Sequence, residues 1–171
     1  DCIDAPFVVG GSDEELGWWK YRPEDWDGSL SNPLELLSRE YVDMLGVEES
    51  LAVLCERWKG GAYDGLLGFS QGAVMASLLA AKLCASPELA RPRCVVLISG
   101  FANPMPTGLD FYPPAAPLSI PSLHAWGEAD THIPPSATQK LAELFDPAQR
   151  TMHSHPAHHF VPQKAADLAV F

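Results

Sequence analysis

The run Gly68-Phe69-Ser70-Gln71-Gly72 limits the folds open to this chain more than any other stretch. Tyr63-Asp64-Gly65-Leu66-Leu67 leads into it and reads as a short buried strand. Ala73 to Leu83 leaves it and reads as a helix of good helix formers, apolar enough to be largely buried. A strand that turns straight into a helix leaves little room at the crossing. Gly68 and Gly72 suit that crossing because a Cβ at either position would crowd it. The serine between them then sits on a sharp turn that presents its hydroxyl, a placement suited to a nucleophile. The competing reading is a glycine-rich turn with a bystander serine, which needs neither the strand nor the helix.

Strands and helices alternate along the rest of the chain. Ala5 to Val9 is a short extended run closed by Gly10-Gly11. Asn32-Pro33-x-Glu35 has the marks of a helix start: a capping residue, proline at the first helical position, then glutamate. That helix runs to about Met44. Val47, Leu51, Leu54, Cys55 and Trp58 recur three and four residues apart, which predicts a clearer helix. Glu48 and Glu49 lie in its favourable first turn, and Gly60-Gly61 ends it. Cys94 to Ile98 is a continuous apolar run, as in a central parallel strand. Ser122 to Trp126 is the next strand, ending at Gly127; Pro135 to Phe145 reads as a helix, Thr151 to His153 as a last strand, and Gln163 to Phe171 as a last helix. Residues 102 to 121 hold six prolines and read as a long, stiff surface loop. The alternation predicts an α/β protein with one parallel sheet covered by helices on both faces.

A chain of 171 residues is one domain by length, 1–171, with enough material for a real core. No apolar run approaches the ~20 residues of a membrane span. The first residues are acidic and mixed, so no signal peptide is readable. The formal net charge is −11 and no Lys/Arg cluster is present, which argues against a nucleic-acid partner. Cys2, Cys55, Cys84 and Cys94 form no C-x-x-C pair. They are expected as buried free thiols in a reducing, cytoplasmic setting. None sits on a recognisable activated turn.

Ligands of parallel α/β sheets bind beyond the carboxyl ends of the strands. Ser70 follows one predicted strand, Asp130 another by a few residues, and His159 a third, so all three are expected at one sheet edge. The order Ser…Asp…His is that of the α/β-hydrolases. A serine hydroxyl is a poor nucleophile near neutral pH and needs a base. His159 would take its proton and return it to the leaving group. Asp130 would fix the imidazole tautomer and stabilise the imidazolium. The plainer alternatives are a loop carboxylate capping the helix after Pro134-Pro135, and one solvent-exposed histidine among six. His153, His155, His158 and His159 also invite a metal reading. Their spacing matches no helix-borne ligand pair and Pro156 breaks the regularity, so neither metal nor cofactor is expected.

Four motifs in order carry a family resemblance: Gly65-Leu66-Leu67-Gly68-Phe69-Ser70-Gln71-Gly72-Ala73, then Ile98-Ser99-Gly100-Phe101, then His124-x-x-Gly127-x-x-Asp130-x-x-Ile133-Pro134, then His155-Pro156-x-x-His159-Phe160-Val161-Pro162. Together with Gly17-Trp18-Trp19 and Glu48-Glu49-Ser50-Leu51, they resemble the FSH family of serine hydrolases over most of the chain. The resemblance implies an α/β-hydrolase fold, hydrolysis of carboxylic esters or thioesters of acyl chains, and Ser70, Asp130 and His159 as the triad. Two departures follow from it. The family usually has Gly-Gly before the catalytic histidine, where this chain has Ala157-His158. His158 therefore stands as a competitor for the base role. Family members also begin with a strand and a His-Gly or similar turn that this chain lacks. That turn normally supplies one oxyanion donor, the other being the backbone N–H of the residue after the nucleophile, here Gln71.

The expectation is thus a sheet lacking its first strand or strands, completed by a complementing N-terminal segment or a partner chain. Loss of one oxyanion donor costs ~10²–10³ in rate. A catalytically impaired subunit with a structural or partner-binding role is the alternative function. Residues 12–46 are expected to form a lid or insert in which Trp18, Trp19, Tyr21 and Trp26 wall an acyl chain. Phe101 is expected on the opposite wall. The competing reading is that these rings pin an irregular loop to the core.

Overall fold

The computed structural model describes residues 1–9, 16–21, 44–102 and 117–163. The elements, in order, are β1 (Phe7–Val8), β2 (Leu16–Gly17), α1 (Val47–Gly60), β3 (Gly65–Phe69), α2 (Gln71–Ala85), β4 (Cys94–Ile98), β5 (Ser122–Gly127), α3 (Pro135–Ala142) and β6 (Arg150–His155). β3, β4, β5 and β6 form a four-stranded sheet in that order, and every neighbouring pair is parallel. β1 and β2 pair antiparallel apart from it. Trp26, the predicted helix start at Asn32-Pro33, most of the 12–46 insert, residues 103–116 of the proline-rich loop and residues 164–171 of the last helix lie outside the described residues.

α2 follows from its composition. Its alanines Ala73, Ala76, Ala80 and Ala81 pack with Val95 and Leu97 of the sheet. Its larger residues Val74, Met75, Leu78, Leu79 and Leu83 pack with Leu51, Leu54 and Trp58 of α1. Small residues toward the sheet let the helix lie close, and large ones fill the gap to the outer helix. α1 buries the predicted stripe, adds Ser50, and carries Arg57 and Lys59 in its last turn, where they favour the helix dipole. Gly46 precedes it at φ 93, a left-handed conformation that glycine adopts without cost.

Some boundaries moved. β3 starts at Gly65 rather than Tyr63, whose ring instead packs on Trp58 at 5.9 Å between centroids while its hydroxyl donates to Asp1 at 2.7 Å. The strand is less buried than expected: Leu67 is 66% exposed, pointing away from α2 on a strand that pairs only with β4 among the described residues. α3 stops at Ala142, and the chain turns to bury Phe145 against His124, ring centroids 4.8 Å apart. β6 is longer than predicted, since six consecutive residues register with β5. All four cysteines are free, but only Cys55 is buried; Cys2 and Cys94 are exposed because the N-terminus and the start of β4 lie at the surface. Burial pushes the Cys55 and Cys84 thiols up, opposite to what a thiolate nucleophile needs.

His124, in the middle of β5, is fully buried and contacts the Ser122 hydroxyl at 3.1 Å. Burial first, and then the positive charge of Arg150, lower its pKa to about 4. Above pH ~6.5 the ring is neutral folded or unfolded and contributes no slope. Between ~6.5 and about 4 the unfolded chain takes up a proton that the folded chain refuses, so stability falls as pH falls. The loss amounts to at most on the order of 3 kcal/mol. Urea unfolding at several pH values should show this slope in the native protein and a smaller one in His124→Leu.

Candidate active site

The parallel strands bring the ends of β3, β5 and β6 to one edge of the sheet, and the three predicted site residues follow those ends. Ser70 stands between β3 and α2 at φ 53, ψ −121, a conformation that non-glycine residues rarely adopt. Its N–H continues the sheet ladder to the Ile98 carbonyl at 2.9 Å. Its carbonyl already accepts from Ala73 N–H at 3.0 Å, opening the helix. The backbone therefore belongs to strand and helix at once, which leaves only the strained turn between. A Cβ on Gly68 would lie 2.2 Å from the Gly72 carbonyl oxygen, so glycine is required there. Gly72 differs from expectation: among the described residues a Cβ there meets only Trp18 Nε1 at 3.7 Å, because the position faces the open side of the helix. Gln71 is the first residue of α2, so its N–H has no acceptor within the helix. Its side-chain oxygen accepts from Trp18 N–H at 3.2 Å, tying that segment to the turn.

Asp130 lies in the turn after β5 with its side chain fully buried. Oδ1 accepts the backbone N–H groups of His132 and Ile133 at 2.9 and 2.8 Å. Oδ2 accepts from His159 Nδ1 at 2.7 Å. Burial pushes the carboxyl up, but the hydrogen bond from His159, together with those from Ile133 and His132, outweighs it and holds Asp130 below the usual carboxylate range. Its pairing therefore stabilises the fold at neutral pH, and this contribution is lost only as pH falls through that lowered value. With Nδ1–H donating, the neutral His159 ring keeps Nε2 free as a proton acceptor. The ring packs on Phe69, the residue before Ser70, at 4.6 Å between centroids. Among the described residues no hydrogen bond joins the Ser70 hydroxyl to His159.

His158, the competitor for the base role, points its Nδ1 at the Ala129 carbonyl at 2.8 Å. This bond and one from Ala129 N–H to the Ala157 carbonyl at 3.2 Å lash the histidine turn to the acid turn. Gly127 makes the docking possible, since a Cβ there would lie 2.3 Å from both the Ala157 and His158 carbonyl oxygens. Gly127→Ala should push the two turns apart and cost about 1–3 kcal/mol of stability, as read from urea unfolding.

The aromatic walls divide. Trp19 is 1% exposed and Phe101 4%, and the two rings meet edge to face at 6.2 Å within the core. Trp18 instead lines a groove of about 590 Å³ with Leu66, Phe69, Gly72, Met75 and Leu79. Among the described residues no group of three or more His, Cys, Asp or Glu is arranged to hold a metal ion, and no helix is long and apolar enough to cross a membrane. Sequence reading missed His132, whose ring stacks on His159 at 5.4 Å. Its position two residues after Asp130 was the only signal.

Parallel strands with a strained serine turn after one of them, and an aspartate and a histidine after two others, are the arrangement of the α/β-hydrolase fold. Solved structures agree on the fold: the esterase PE8 superposes with a TM-score of 0.58 at 21% identity, over 97% of this chain and 73% of that one. An acyl-protein thioesterase 2 of Zea mays gives 0.56 at 19% identity, over 73% and 61%. The family model described as serine hydrolase (FSH1) matches residues 4–170, and the chain belongs to that family. Among its relatives, esterase OVCA2 of Bos taurus is 38% identical over 157 residues, 90% of this chain and 64% of that protein. The Homo sapiens esterase OVCA2 is 36% identical over 158 residues, with the same shares. The chain thus spans about 64% of the length of these relatives.

Proposed function

We propose that the chain hydrolyses carboxylic esters or thioesters of acyl chains through Ser70, His159 and Asp130. In this reading His159 Nε2 takes the Ser70 proton as the serine oxygen bonds to the acyl carbon. The tetrahedral oxyanion is held by the Gln71 N–H at the start of α2. Collapse expels the alcohol or thiol, which receives the proton from His159, and leaves an acyl group on Ser70. Water repeats the cycle and releases the acid. The observation that carries the reading is the 2.7 Å bond from His159 to a buried Asp130 whose other oxygen is saturated by two backbone N–H groups.

The groove beside Trp18 and Phe69 is the proposed acyl site, where each buried methylene contributes about 0.8 kcal/mol. Trp19 and Phe101 belong to the same buried cluster as its lining residues Met75 and Leu79. We propose that a complementing N-terminal segment or partner chain supplies the second oxyanion donor. In support, β3 has no partner on its other side among the described residues, and the relatives are longer than this chain. Turnover of p-nitrophenyl esters of increasing acyl length tests the reading. It expects hydrolysis by the native chain and none by Ser70→Ala. Background rates from both folded proteins favour the alternative, a subunit with a structural or partner-binding role.

A further inference from the structure

We infer that His132 is a positioning residue that holds the His159 imidazole at its working angle by ring stacking. The inference rests on the proposed roles of Ser70, His159 and Asp130 and adds a residue to them. His159 has one in-plane anchor, the Nδ1–H bond to Asp130 Oδ2. A single hydrogen bond fixes where the ring edge sits but leaves the ring free to pivot about the donor–acceptor line. Only contacts on the ring faces stop that pivot. Two rings supply them. Phe69 packs at 4.6 Å between centroids with planes 37° apart, and His132 at 5.4 Å with planes 27° apart.

The two rings refer His159 to different parts of the site. Phe69 is the last residue of β3 and moves with Ser70. His132 belongs to the acid turn, because its own N–H donates to Asp130 Oδ1 at 2.9 Å. One residue thus both saturates the acid and steadies the base that the acid orients. The His132 side is the more replaceable of the two. Residue 132 is exposed, whereas Ile133 beside it is buried in the core. A substitution at 132 keeps the backbone N–H and removes only the ring.

His132→Ala and His132→Phe test the inference, each read for kcat and KM on a short p-nitrophenyl ester. His132→Ala should lower kcat by about tenfold with KM little changed, because the loss falls on the orientation of the base and not on substrate binding. His132→Phe restores a flat ring without a titratable nitrogen and should recover most of the rate. A second readout is independent of turnover. The downfield proton resonance of His159 Nδ1–H, identified by its loss in Asp130→Asn, should exchange with water faster in His132→Ala than in the native protein or His132→Phe. Native rates and exchange in His132→Ala would overturn the inference, as would failure of the phenyl ring to restore either. A chain with no turnover at all counts against the serine-hydrolase reading alone, and the exchange measurement still decides the role of His132.

Discussion

Asp130→Asn is expected to slow ester turnover by about 10⁴-fold while the protein stays folded. The size follows from how the carboxylate's two oxygens are used. Oδ1 accepts two backbone N–H groups, and an asparagine oxygen can do the same, so the turn survives. The amide nitrogen then faces His159 where Oδ2 stood. Two donors cannot share a hydrogen bond, so the imidazole turns Nδ1 into an acceptor and carries its proton on Nε2. That tautomer cannot take a proton from Ser70. The variant should therefore stay folded, melting below the native protein because the carboxylate's pairing with His159 is gone, and show a collapsed kcat. Unchanged turnover would remove Asp130 from the proposed triad.

Ser70→Gly should separate activity from stability. The residue is held at φ 53, ψ −121, and strain of this kind costs ~1–3 kcal/mol. Glycine takes the conformation freely but loses ~0.5–1 kcal/mol to its extra freedom when unfolded. A net gain of about 1 kcal/mol remains, or a rise of ~2–4 °C in Tm for a domain of this size. Turnover should drop by about 10⁶-fold, since no nucleophile is left. Ser70→Ala should be equally inactive without the rise in Tm, because its Cβ keeps the strain. A glycine variant that melts below the alanine variant would show that the turn is relaxed.

The readable part of this molecule is the part set by short-range pattern. The apolar run at Cys94–Ile98 is a strand with the predicted ends, and the stripe from Val47 to Trp58 is a helix with its predicted face buried. Gly68 was also readable, because its crowding comes from Gly72 and Ala73, close along the chain. What escaped depends on segments far apart in sequence. The sequence leaves open whether Trp19 walls a substrate or pins its loop to the core, and the ring that packs on it edge to face, Phe101, is distant along the chain. His159 is favoured over His158 in the sequence by the Phe160-Val161-Pro162 that follows it, but the groups that separate them, the Ala129 carbonyl for His158 and Asp130 for His159, lie 29 residues away. Leu67 reads as core, yet its exposure is decided by what stands beside β3, which its own sequence cannot encode.

The central claim is that Ser70 is the activated nucleophile. A fluorophosphonate probe reacts with such a serine, and peptide mass spectrometry locates the adduct. The account predicts one adduct, on Ser70, absent from Asp130→Asn over the same exposure. A folded protein that stays unmodified, or one that carries the phosphonate on another residue, would contradict it.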